Sequence, residues 1–229
     1  MSTFNGFPKG TRKFLRDLGR NNNRDWFNAN KSKYEKEVRE PALAFITAMR
    51  KPLRSLSECF QAIPKKTGGS LMRIYRDTRF SKDKTPYKTN VGIHFRHQSG
   101  CDVHAPGFYL HIEPSEAFLG AGIWHPDSQP LADIRDHIDN NPTSWKKTRD
   151  NRTFRKHFDL TGDTLKRPPR GFEKDHPLID DLRRKDFIGV CNFPPADIES
   201  PDFVKEVMAR FRATRPLVRF LCEALSLPF

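Results

Sequence analysis

The residues of this chain best suited to chemistry lie in one stretch, MRIYRDTRFSKDKTPYK at positions 72–88. It sets Arg73, Arg76, Arg79, Lys82, Lys84 and Lys88 against only two acids, Asp77 and Asp83. Arginine offers a planar, permanently charged fork that matches a phosphate or carboxylate, and lysine adds a compact point charge. Tyr75 and Tyr87 add ring faces and hydroxyls, so the stretch suits a phosphate group beside a stackable base. Asp77 and Asp83 read as braces: each can accept backbone N–H groups from the residues that follow it, or hold a guanidinium in place. Two carboxylates cannot neutralise six cations, and the surplus calls for water or an anionic ligand. A loop whose Arg–Asp pairs serve only to hold its own shape is the competing reading.

The core of this stretch, Arg76 to Lys88, is too long and too charged for a minimal hairpin turn and needs internal contacts to hold a shape. On its C-terminal side come short β-branched and aromatic runs, NVGIHF, GFYLHI and AFLGAGIW, and on its N-terminal side LMRIY; these read as strands of an antiparallel meander. FIGVCNF at 187–193 reads as one further strand. Phe14, Leu15 and Leu18 mark a first helix that Gly19 and the Asn21–Asn23 tract end. Trp26, Asn30, Tyr34 and Val38 recur every four residues in a second, Pro41 resets the chain, and Leu43, Ile46, Met49 and Leu53 stripe a third. Pro130 opens a helix with Ile134 and Ile138, a Trp145–Phe158 helix follows, and LKRPPRGFEKDHP is an extended loop. A short helix follows Asp175 and Pro177, and Ser200–Pro201 opens the last helix, kinked at Pro216. The expected fold class is α+β, a largely antiparallel central sheet flanked by N-terminal and C-terminal helices, with residues 1–229 in a single domain because no linker divides them.

The chain has 229 residues and a formal charge of +13. That charge favours anionic partners, a phosphorylated small molecule or nucleic acid above all. Hydrophobic residues make up only 36%, but 19 Phe and 3 Trp supply enough buried area to argue against disorder. No apolar run is long enough for a membrane span and the first residues lack a secretory pattern, so we expect a cytoplasmic protein. Cys59, Cys101, Cys191 and Cys222 are too scattered for a zinc knuckle or a disulfide framework and read as free, mostly buried thiols.

The run RDTRFSKDKTPYK from Arg76, with NNNRDWF from Asn21, GFYLHIEP and AGIWHP, resembles the bacterial and fungal family designated domain of unknown function 2461. The likeness extends over roughly residues 4–225. It implies no particular chemistry, and no catalytic residue carries over from it.

Five histidines, His94, His97, His104, His111 and His125, fall in the strand-rich middle, and Asp102, Glu113 or Asp127 would add a carboxylate. No local spacing fixes two metal ligands, so we assign no metal site and no cofactor. Trp26 reads as core, Gly120 and Gly122 as close strand packing, and Ser81 lacks a partner base. The basic loop Lys166, Arg167, Arg170 and Lys174 reads as solvated surface. The sequence reading is therefore a phosphate- or nucleic-acid-binding domain presenting residues 73–88. Its alternatives are an enzyme of phosphoesters or nucleotides, with Asp77 or Asp83 as base or metal ligand beside the arginines, and a non-catalytic protein-interaction domain.

Overall fold

The structure is a computed structural model and describes residues 4–100 and 105–229. It is α+β: a six-stranded antiparallel sheet of order β1-β2-β3-β4-β6-β5 with helices packed on one face. The strands are β1 (Phe60–Gln61), β2 (Val91–His97), β3 (Gly107–Ile112), β4 (Ala117–Ile123), β5 (Asp159–Thr161) and β6 (Phe187–Phe193). The N-terminal helices are α1 (Lys9–Arg20), α2 (Arg24–Ala29), α3 (Lys31–Tyr34) and α4 (Glu40–Leu56). After the meander come α5 (Ser128–Asn140), α6 (Pro142–Arg149), α7 (Arg152–Arg155) and α8 (Ile179–Leu182), and the chain closes with α9 (Phe203–Ala213) and α10 (Arg215–Ala224). No helix among the described residues is long and apolar enough to cross a membrane.

Alternation along the strands decides what each face carries, because successive side chains point to opposite sides. Val91, Ile93 and Phe95 of β2, Phe108, Leu110 and Ile112 of β3, and Leu119, Ala121 and Ile123 of β4 are buried under the helices. The helices meet them with their own apolar stripes, such as Phe45, Ile46, Met49 and Leu53 of α4. Residues of the opposite phase, beginning with Gly92, Tyr109 and Gly120, form the second face.

Several expectations are corrected. The second helix is not continuous: it breaks at Asn30 and then runs through α3 into a π-helical turn, Glu35–Arg39, that joins α4. Pro41 explains the irregularity, since it has no N–H to give the Glu37 carbonyl. The buried Thr11 hydroxyl of α1 donates to that carbonyl instead, at 2.5 Å. LMRIY forms no regular strand and makes only bridges, Leu71 to Ile93 and Tyr75 to Tyr87. The Trp145–Phe158 helix is two, α6 and α7, divided where Asn151 caps the Phe154 N–H. Pro216 sits in the first turn of a new helix, α10, rather than kinking an old one. Strands β3 and β6 match GFYLHI and FIGVCNF residue for residue, whereas β1 and β5 had no counterpart in the sequence reading. Cys59, Cys191 and Cys222 are free and buried; Cys101, Asp102 and His104 lie outside the described residues.

Candidate functional site

The basic segment is a hairpin rooted on the edge of β2. Met72 N–H donates to the Gly92 carbonyl and His94 N–H to the Ser70 carbonyl; further out, Arg76 N–H reaches Pro86 O and Lys88 N–H reaches Ile74 O. The N-terminal asparagine tract secures it. Asn22 donates from Nδ2 to the Tyr87 carbonyl at 2.9 Å and accepts the Tyr87 N–H at 3.0 Å, its amide standing in for a neighbouring peptide. The Tyr87 ring is buried and stacks on Phe27 at 4.1 Å, so that face is committed to the core, while Tyr75 remains half exposed. Asn22→Ala leaves both main-chain groups of Tyr87 short of a partner. It should lower unfolding free energy by about 1–2 kcal/mol and speed hydrogen exchange at the Tyr87 amide.

Both carboxylates of the hairpin are engaged by arginines. Asp77 accepts a two-pronged contact from Arg79, Nε to Oδ1 at 3.0 Å and Nη2 to Oδ2 at 2.7 Å. Asp83 receives Arg76 and, at 2.9 Å, the Thr85 N–H. Hydrogen bonding from Arg79 first holds the Asp77 carboxyl down at about 2, and the Thr85 N–H, then Arg76, does the same for Asp83. Lys84 donates to the Thr78 carbonyl at 2.8 Å. Arg73, Lys82, Lys84 and Lys88 have no carboxylate within ion-pair distance among the described residues. Lys88 is half-buried, and desolvation, then Arg73, lowers its pKa. Phe80, which the sequence reading passed over, is 95% exposed at the tip.

The second face of the sheet holds a cleft of about 430 Å3, walled by Met72 and Trp124 and lined mostly by apolar atoms. Strand register makes it. One cross-strand row sets Gly92, His111 and Phe118 side by side, the next His94, Tyr109, Gly120 and Val190, and the third Gly107, Gly122 and Ile188. The glycines leave out side chains where the sheet floor lies. Gly122 also needs its φ of +129°, and a Cβ there would meet the Phe187 carbonyl oxygen at 2.0 Å. The Trp124 rim is held from below by Asp186, which is 1% exposed and accepts the backbone N–H groups of His125 at 2.6 Å and Asp163 at 2.9 Å.

Polar groups converge on this floor. Tyr109 Oη lies 3.1 Å from His111 Nδ1, His111 Nε2 lies 3.0 Å from Glu113 Oε1, and the Asn90 amide approaches the same Nδ1 at 3.4 Å. The His111 ring is stacked on Phe118, centroids 4.6 Å apart. Burial, then the Glu113 charge, pushes the Tyr109 hydroxyl up to about 12. Burial, then Arg96, pushes His94 down to about 4. His94 and His111 both line the cleft, but no cluster of three metal-binding side chains occurs among the described residues. Tyr109 and Trp124 went unremarked as site residues in the sequence. The period-two run Tyr109, His111, Glu113 was the available signal for the first, since it places all three on one face of a strand.

These features define an α+β protein with a basic hairpin beside a glycine-floored cleft on the second face of its sheet. A family model of conserved hypothetical proteins, DUF2461, matches residues 10–220, and the chain belongs to that family. No curated protein and no solved structure matches the chain.

Proposed function

We propose that this protein binds a small molecule that joins a flat apolar body to an anionic group, a nucleoside phosphate being the model occupant. The body takes the cleft, and the anion faces the cations of the hairpin that lack a carboxylate, Arg73, Lys82, Lys84 and Lys88. The observation that carries this reading is the rooting of the hairpin: Met72 at its start walls the cleft, and Asn90 at its end hydrogen-bonds His111 within it. The cleft volume falls in the range of about 300–1,000 Å3 usual for small-ligand sites, and a half-exposed Trp124 at the rim offers a stacking surface.

Titration with adenosine monophosphate, adenosine and inorganic phosphate, followed by tryptophan fluorescence, tests it. The nucleotide should bind most tightly and weaken as salt rises. In Gly120→Val the nearest neighbours of the new Cβ are side-chain atoms, Ile188 Cδ1 at 3.3 Å and Tyr109 Cβ at 3.5 Å, so the fold should persist while affinity falls at least about tenfold. Absence of binding by all three probes would count against the reading.

A nucleic-acid reading is favoured by one separate feature. Phe80 and Tyr75 are exposed on the hairpin, and the Arg79 guanidinium lies 5.8 Å from the Phe80 ring centroid, an aromatic and cationic surface of the kind on which single-stranded bases stack. Oligonucleotide binding that survives Gly120→Val but not Phe80→Ser would select it.

A further inference from the structure

We propose that the cleft is an acid–base site in which Tyr109 takes the proton of a ligand hydroxyl and passes its own to His111, with Glu113 holding the resulting imidazolium. This deepens the ligand-binding reading and rests on it: the cleft must hold a ligand for the relay to act. The class of ligand is a small, flat molecule with an acidic hydroxyl, phenol or enol.

The direction of the relay follows from hydrogen-bond bookkeeping. An ionised Glu113 can only accept, so His111 Nε2 carries the hydrogen in their 3.0 Å contact. A neutral imidazole protonated at Nε2 has an accepting Nδ1, and the Tyr109 hydroxyl, 3.1 Å away, therefore donates to it. With its hydrogen committed, Tyr109 Oη presents only lone pairs to a ligand, and a ligand group that meets it must bring a proton. One O–H bond of the ligand breaks as a new Tyr109 O–H bond forms. The old Tyr109 O–H breaks as an Nδ1–H bond forms on His111. The ligand leaves the step as an oxyanion, now accepting a hydrogen bond from Tyr109, and the positive charge comes to rest on His111 against Glu113. No oxidant, metal or leaving group is required.

The surroundings suit this traffic. Burial that disfavours a free phenolate keeps Tyr109 a neutral hydroxyl, and a relay exchanges one proton for another without ever forming that phenolate. Register sets His111 between Gly92 on β2 and Phe118 on β4, and the stacked Phe118 ring fixes the imidazole plane. Among the described residues, the other titratable groups around it are His94, with Arg96 beyond it, on β2, and Glu116, whose backbone carbonyl accepts the Glu113 N–H at the turn before β4. Tyr109 is the acid–base residue; His111 and Glu113 are positioning residues that act through it.

Two probes separate this proposal from the reading beneath it. Nitrobenzene has a flat ring without a hydroxyl, and para-nitrophenol adds one whose ionisation is seen by colour. Nitrobenzene should quench tryptophan fluorescence equally in the wild type and in Tyr109→Phe. Bound para-nitrophenol should ionise about one pH unit below the free probe in the wild type. In Tyr109→Phe the apolar cleft alone should raise that midpoint above the free value, with Glu113→Gln in between. Nitrobenzene binding with the same para-nitrophenol midpoint in wild type and Tyr109→Phe would overturn the relay and leave the cleft standing. Failure of both probes to bind would overturn both. Nitrogen NMR of the unliganded wild type gives a measurement that needs no variant: the Nε2–H tautomer of His111 is expected, and the Nδ1–H tautomer would overturn the proposal.

Discussion

Asp186→Ala is expected to lower the free energy of unfolding by about 2–4 kcal/mol and to loosen the rim of the cleft at the same time. The buried carboxylate accepts two backbone N–H groups from chain segments far apart in sequence, His125 after β4 and Asp163 after β5, and its Oδ1 lies 3.3 Å from His125 Nδ1. Alanine leaves those N–H groups without their acceptor and removes the tie between the two turns. Gly162, at φ +115°, packs directly against the Asp186 side chain, so the turn that lines the cleft loses its support as well. Chemical denaturation gives the stability change, and amide exchange at His125 and Asp163 gives the local one. Asp186→Asn, which keeps one acceptor oxygen, should recover part of both. An unchanged denaturation midpoint in Asp186→Ala would show that these contacts are replaced by water at little cost.

The second large effect is on acid stability and comes from His94. Burial, reinforced by Arg96, lowers its pKa from 6.5 to about 4, so the folded protein holds His94 neutral where the unfolded chain would protonate it. Protons then bind preferentially to the unfolded state as pH falls. The contribution is therefore fully present above pH 6.5 and is lost progressively down to about pH 4. Its full size is on the order of 3 kcal/mol. Asp77 and Asp83 act in a different window: their carboxyls are lowered from 3.8 to about 2, so what they contribute is present above 3.8 and lost only below it. Denaturation of the wild type and His94→Gln across pH 4.5–7 should show a steep decline in the first and a much shallower one in the second. Parallel slopes would mean that His94 is not the group that titrates.

How much of this was legible in the sequence depends on how local each cause is. GFYLHI and FIGVCNF declare themselves because alternation and flanking turn residues act within a few positions, and both strands form over those same residues. Strands β1 and β5 are two and three residues long, too short to carry a period, and exist because neighbouring strands accept them. The π-helical turn follows from Pro41, but its support is the Thr11 hydroxyl on another helix, which sequence proximity does not reveal. The charge surplus of the hairpin was plain, yet the sequence could not assign Arg79 to Asp77 and Arg76 to Asp83, the pairs that form. Least legible was the cleft. It consists largely of missing side chains, and only the register that brings Gly120 beside Tyr109 and Gly122 beside Gly107 turns scattered glycines into a volume.

That volume has a thermodynamic side in the unfolded chain. Glycine loses more conformational freedom on folding than any other residue, so each one in a strand interior weakens the folded state by roughly 0.5–1 kcal/mol relative to alanine. At Gly122 the backbone leaves no choice. At Gly120 it does, since no left-handed φ is needed and the nearest neighbours of a Cβ would be side-chain atoms, Ile188 Cδ1 at 3.3 Å and Tyr109 Cβ at 3.5 Å. A β-branched residue there would stiffen the denatured chain and cover apolar sheet, and a chain selected for stability alone would carry one. The empty floor at Gly120 is thus stability forgone, and occupation by a ligand is the event that would return it, making the protein harder to unfold in proportion to how tightly the cleft is filled.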